Sequence, residues 1–322
     1  MQGNHKTPAP FEPTSNGEQN RVESAGDEGF ELLLKEIQHK HGDSLLAILV
    51  YGSWLRGKRD TMLDFYVLVE DYHTLDSAWQ GWMCRLLPPN VYHIHVNPDQ
   101  PGDAQHGMRA KYAVLTLNRF HHAMKHDFHS YFWARFAQPC EILYVRDHQC
   151  RLLLEKTFEC AAHTFIRRVL PTMPDNFSSG DLWTMGLART YQCELRTESV
   201  DRGGSIYAFN PDHYDQVLAE FARQSAGLVT TGPAGIYHNH SRPLARRLSP
   251  IQWWLRRIQG KVLSLMRLFK AAFTFNEPLE YLLWKIERHS GHYIKPTALQ
   301  LKHPLLFSWP LLWKLYRLGA FR

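Results

Sequence analysis

Two short apolar runs with a Gly-Ser pair between them constrain this chain more than any other feature. Leu45 to Tyr51 is continuously apolar and stops at Gly52-Ser53; Met62 to Val69 is a second such run with one aspartate, Asp64, inside it. Runs of this length bounded by glycine read as strands buried on both faces. Ten residues separate Ser53 from Asp64, enough for a short helical turn and a return to the adjacent strand. Alternate residues of a strand share a face, so Met62, Asp64, Tyr66, Leu68 and Glu70 point one way. A carboxylate on such a strand needs a partner, and Mg²⁺ is a suitable one. Glu70 cannot supply a second ligand, because six residues of strand place it roughly 20 Å from Asp64. At the other end of the turn, Gly52 permits close approach of a phosphate to the backbone, Ser53 adds a hydroxyl, and Arg56, Lys58 and Arg59 follow. The same residues also read as a plain turn and a salt-bridged strand aspartate, and the motif alone does not decide between the two.

Around this motif the pattern alternates. Phe30, Leu33, Leu34 and Ile37 recur at helical spacing, with Gly42 as a stop. Residues 73–87 and 118–135 read as helices, and 91–96, 110–116 and 141–145 as strands, so residues 29–147 form a mixed domain. Residues 148–235 read as a helical domain, with helices at 148–170, 179–193 and 211–224 punctuated by Pro171, Pro174, a Gly203-Gly204 turn and Pro211. Residues 1–28 are polar and expected to be a disordered tail, without the apolar core of a secretory signal and too acidic for a transit peptide. No run approaches the length of a membrane span, so the expected location is cytoplasmic, peripheral on the inner face of a membrane. Five cysteines without a CxxC pair favour reduced thiols over a disulfide framework. The 19 histidines fall in no HExxH or Cys/His pattern, which argues against zinc.

The net charge of +6 calls for an anionic partner, and it is concentrated at one end. Residues 242–322 hold 15 Lys/Arg against three Glu, together with five of the ten tryptophans. Within this region, 236–322, the stretch KVLSLMRLFKAAFTF places Lys261, Ser264, Arg267 and Lys270 on one side of a helix and Val262, Leu265, Met266, Phe269 and Phe273 on the other. That pattern predicts a basic amphipathic helix lying on an anionic membrane surface, with Arg267 and Lys270 among its contacts. An ordinary core-facing helix with a solvated charged side has the same pattern.

Several segments, in order, resemble the mitochondrial translocator-maintenance family of CDP-diacylglycerol synthases (phosphatidate cytidylyltransferases), of the nucleotidyltransferase superfamily. YGSW and TMLDFYVLVED are similar to that family's YGSG and its MLDF-type strand, in which an apolar residue also replaces the second acid, as Tyr66 does here. KYAVLTLN at 111–118 and HSYFWARFAQP at 129–139 resemble its KYGVIST and LYIAGRLQKP segments. LPTMPDNFSSGDLW at 170–183, YQCELR at 191–196 and SLMRLFKAAFTF resemble its LPESFSEEDL, SYxGDxR and SLKGxxTAGP. The likeness covers roughly residues 45–290; Trp54 stands in place of a glycine, the loop to Asp64 is shorter, and His122-Ala123 replace two acids.

The resemblance implies an α+β fold: a nucleotidyltransferase-like mixed sheet with helices, then a winged-helix-like domain, then the basic amphipathic C-terminal region. It implies transfer of CMP from CTP to phosphatidic acid at an anionic membrane surface met by residues 242–322, with no nucleic acid involved. Asp64 is expected to hold Mg²⁺ and, with Lys111 and Arg135, to carry catalysis; Gly52, Ser53, Tyr191 and Arg196 are expected to bind the nucleotide. Two other readings compete. An RNA- or tRNA-directed nucleotidyltransferase would use the basic tail as a nucleic-acid grip. A catalytically inactive nucleotide-binding relative would account for the single carboxylate.

Overall fold

The computed structural model describes residues 24–57, 62–73, 75, 78–96, 108–195 and 202–274. The fold is α+β. Helix α1 (Ser24–His41) begins inside the stretch read as tail, and residues 1–23 lie outside the described residues. Strands β1 (Leu45–Tyr51) and β2 (Leu63–Val69), helix α2 (Ala78–Leu86), and strands β3 (Asn90–Val96) and β4 (Met108–Thr116) follow. Helices α3 (Leu117–His126) and α4 (Trp133–Phe136) lead to β5 (Cys140–Val145). The sheet order is β3-β4-β2-β1-β5, with β2 and β4 parallel and the other pairs antiparallel. Ile48, Val50, Phe65 and Val67 pack on one face against Leu33 and Ile37 of α1, while Ala47, Leu49, Tyr66 and Leu68 pack on the other with α3 and α4. Covering both faces is what makes the central strands uninterrupted apolar runs.

The single helix expected over 118–135 is two. It stops at Asp127, whose backbone is extended and whose carboxylate takes a 2.8 Å ion pair from Arg119. The Trp133 indole donates to the Asp127 carbonyl at 3.1 Å, so local side-chain bonds replace the next helical turn.

Beyond α5 (His148–Val169) come β6 (Asn176–Ser178), α6 (Ser179–Tyr191), α7 (Arg202–Phe209), α8 (Pro211–Gln224), β7 (Val229–Thr231) and β8 (Ile236–Asn239). The three strands form a small antiparallel sheet, β6-β8-β7, beside the helices. Gly203 and Gly204, expected to turn, lie inside α7. A Cβ on Gly203 would come within 2.3 Å of the Thr184 carbonyl oxygen, so this glycine permits α7 to pack tightly on α6.

The last described element, α9 (Pro243–Thr274), crosses back to the first sheet. Arg267 and Lys270, expected to meet a membrane, turn inward instead, and the side chains of Phe269 and Phe273 lie outside the described residues. Lys270 is buried, and its ammonium donates to the carbonyls of Leu87 and Pro89. Arg267 donates to the Pro88 carbonyl at 3.0 Å, and its guanidinium lies 3.8 Å over the Tyr131 ring. Val262, Leu265 and Met266 are exposed. Arg267 and Lys270 therefore face the protein, where backbone carbonyls and an aromatic ring await them, while Lys261 stays exposed. Among the described residues, no helix is long and apolar enough to cross a membrane.

Candidate active site

Strand β1 ends at Tyr51, and the chain then turns through Gly52 at φ 93°, in the left-handed region where glycine carries no Cβ penalty. Ser53 opens a short 3₁₀ turn, Trp54–Arg56. A Cβ built on Gly52 would lie 3.6 Å from Asp64 Oδ2, so the turn and the carboxylate share one site. The parallel pairing of β2 with β4 sets Asp64 beside Lys111, and Lys111 Nζ sits 2.7 Å from Asp64 Oδ1. Both residues are candidates by sequence, but their contact becomes visible only in the fold. Lys111 is 40% and Asp64 21% exposed, and the Oδ1 that meets the ammonium is itself buried, so the pair stands at the edge of the site and not in open solvent.

Deeper on the same face lies Tyr66, fully buried where a second strand acid would stand, with its ring against Tyr51 and Phe136. Its hydroxyl accepts from Arg135 Nη1 at 3.3 Å, and Arg135 Nη2 donates to both carboxylate oxygens of Glu194 at 3.1 Å. Burial works against the Arg135 charge, but Glu194 and the surrounding tyrosines outweigh it and hold its pKa well above the usual value. Arg135 also lies 3.9 Å over the Tyr131 ring, and with Arg267 at 3.8 Å the tyrosine is held between two guanidiniums. Burial alone would push the Tyr131 phenol up, yet the two arginines bring its pKa below the ordinary tyrosine value. Glu194 follows the end of α6, so the helical part of the chain beyond β5 reaches into this cluster. Arg267 joins it from α9, a neighbour that no local sequence signal announces.

Tyr191 closes α6 with its ring 5.5 Å from the Arg202 guanidinium. Arg196, Lys58 and Arg59 lie outside the described residues. Glu70 stands at the far end of β2, paired with Arg146 at 3.2 Å. That end opens on a separate cavity of about 250 Å³ lined by Glu70, Asp71, Tyr72, Arg85, Thr116 and Arg119.

Among the described residues, no three His, Cys, Asp or Glu side chains converge to hold a metal ion. Asp64 offers Oδ2 toward the Gly52 turn while Lys111 occupies Oδ1. One carboxylate fits a Mg²⁺ that takes its other ligands from phosphate and water, and does not fit an ion caged by protein alone.

No protein-family model matches the chain, and no curated protein matches it. Among solved structures it is similar to a nucleotidyltransferase-like protein from Exiguobacterium sibiricum 255-15, at 10% identity over 92% of this chain and 90% of that one. The TM-score is 0.28, and at that score the likeness carries no argument.

Proposed function

We propose that this chain is a nucleotidyltransferase that transfers CMP from CTP to phosphatidic acid, giving CDP-diacylglycerol and pyrophosphate. The observation that supports it most is the partly exposed Asp64–Lys111 pair set against the left-handed Gly52 turn. The attacking group is a phosphate monoester whose second pKa is ~6, so it is already largely ionised at neutral pH and needs no general base. Its oxygen forms a bond to the α-phosphorus while the bond to the β-phosphate bridging oxygen breaks, and the electron pair leaves with pyrophosphate. The obstacle is bringing two anions together. Gly52 and Ser53 receive the β- and γ-phosphates, and Lys111 neutralises charge as pyrophosphate departs. Asp64 would hold a Mg²⁺, which would supply further charge neutralisation to the triphosphate. Arg135, engaged by Glu194, positions Tyr66 and Tyr131 as the floor of the site; the nucleotide roles of Tyr191 and Arg196 rest on the resemblance alone.

A second reading, a nucleotide-binding relative without turnover, is favoured by the single carboxylate and the hold of Lys111 on it. The deciding experiment incubates the protein with Mg²⁺, phosphatidate vesicles and each NTP separately, and follows pyrophosphate release. Release with CTP that depends on phosphatidate is expected. Release that depends on RNA instead would make the chain an RNA-directed enzyme, and CTP binding without release would establish the inactive relative.

The phosphate cradle has its own test. Ser53→Ala should cost roughly 1.5–3 kcal/mol of CTP binding through the lost hydroxyl. Gly52→Val forces a branched side chain into the left-handed region beside Asp64 and should be worse. Calorimetric CTP affinity unchanged by both substitutions would place the cradle elsewhere.

A further inference from the structure

Helix α9 is inside out. Along it, Leu244, Leu248, Ile251, Leu255, Ile258, Val262 and Leu265 recur at alternating steps of four and three residues. All seven are between 41% and 66% exposed, forming one aliphatic stripe about 32 Å long at 1.5 Å per residue. The opposite side carries Ser249, Trp253, Arg256 and Lys270, all buried against the protein. Arg256 is fully buried there, and its Nε donates to the Phe128 carbonyl at 3.0 Å. A soluble helix normally turns its aliphatic side inward. This one does the reverse over about six turns, and among the described residues nothing covers the stripe.

We propose that the Leu244–Met266 stripe lies in an anionic lipid surface, with the Arg267–Lys270 side turned to the protein. The borders of the stripe identify the occupant. Exposed Arg247, Arg257 and Lys261 line one border with Trp254, which is 58% exposed, and the helix contains no Asp or Glu. Aliphatic residues flanked by basic residues and a tryptophan are the composition of a helix lying in the headgroup region of anionic lipid. A second copy of the same helix would bring no acid to pair with those bases. The helix carries too many arginines and lysines to span the bilayer, so it lies in the surface plane. Arg267 touches Tyr131 from the inner side while Leu265 and Met266 face outward. The Tyr131–Arg135 cluster then stands about one helix diameter, ~10 Å, from the lipid. This inference rests on the lipid-substrate reading above for the surface it names.

The test uses the full chain, vesicles of phosphatidylcholine and phosphatidylglycerol, and the double variant Ile251→Gln, Leu255→Gln. Flotation should weaken roughly tenfold or more, while the melting temperature and the turnover of a soluble short-chain phosphatidate stay at wild-type values. Flotation equal to wild type overturns the proposal. A wild-type dimer in solution that the variant dissociates assigns the stripe to a second copy and also overturns it. A monomer whose melting temperature falls by several degrees in the variant means that residues 275–322 cover the stripe, and the lipid face is then equally overturned. Loss of flotation in a protein that never turned over the soluble substrate supports the lipid face and counts against the proposed reaction alone.

Discussion

Asp64→Asn is expected to reduce CTP turnover by roughly two orders of magnitude or more, with little change in melting temperature. The substitution keeps the size of the side chain and removes the carboxylate that meets the Gly52 turn. It also leaves the Lys111 ammonium without its 2.7 Å partner, so the local charge rises by one unit where the triphosphate must bind. Nucleotide affinity should therefore hold or improve while the rate collapses, a split that simple unfolding cannot produce. Because the pair is partly exposed, water replaces the lost contact and the fold survives. Wild-type turnover in a folded Asp64→Asn protein would remove Asp64 from the chemistry.

The second large effect is on stability. If Arg267 and Lys270 met the membrane, reversing them to Glu would weaken vesicle binding and leave the fold intact. The observed packing implies the opposite order of effects. Lys270→Glu sets a buried carboxylate against the carbonyls of Leu87 and Pro89 and should cost roughly 3–5 kcal/mol. Arg267→Glu removes a guanidinium from the Tyr131 ring and brings a carboxylate near Glu194, adding to the loss. Denaturant unfolding of the single variants measures both. Burial pushes the Lys270 pKa down to about 8. Between that value and the ordinary ~10.4, the unfolded chain binds a proton that the folded chain does not, so this lysine makes stability rise with pH across the window. Lys270→Met should lose that rise, and its persistence would place the ammonium in solvent.

Much of the framework was legible along the chain. Strands expected at 45–51, 62–69, 91–96, 110–116 and 141–145 differ from the observed bounds by no more than two residues; for the two central ones the reason is that a strand covered on both faces must be nearly all apolar. The interruption at Asp127 was not legible, since apolar spacing does not register the local bonds that Asp127 makes with Arg119 and Trp133. The candidate site divides the same way. Gly52 and Ser53 directly follow β1 and Asp64 lies on the adjacent β2, so residue spacing alone brings them near one another. Lys111 reaches Asp64 through the register of a parallel pair, and Arg135 reaches Glu194 across 59 residues.

Helix α9 shows where local pattern ends. Its period is a property of neighbouring residues, so a basic side and an aliphatic side can be read directly from KVLSLMRLFK. Which side turns inward depends on what the rest of the chain presents to it. Here the inner surface offers the Leu87, Pro88 and Pro89 carbonyls and the Tyr131 ring, from segments more than 100 residues away. Carbonyl oxygens and an aromatic face bind ammonium and guanidinium groups better than they bind methyl groups. The helix accordingly docks by Arg256, Arg267 and Lys270 and leaves its aliphatic side outside.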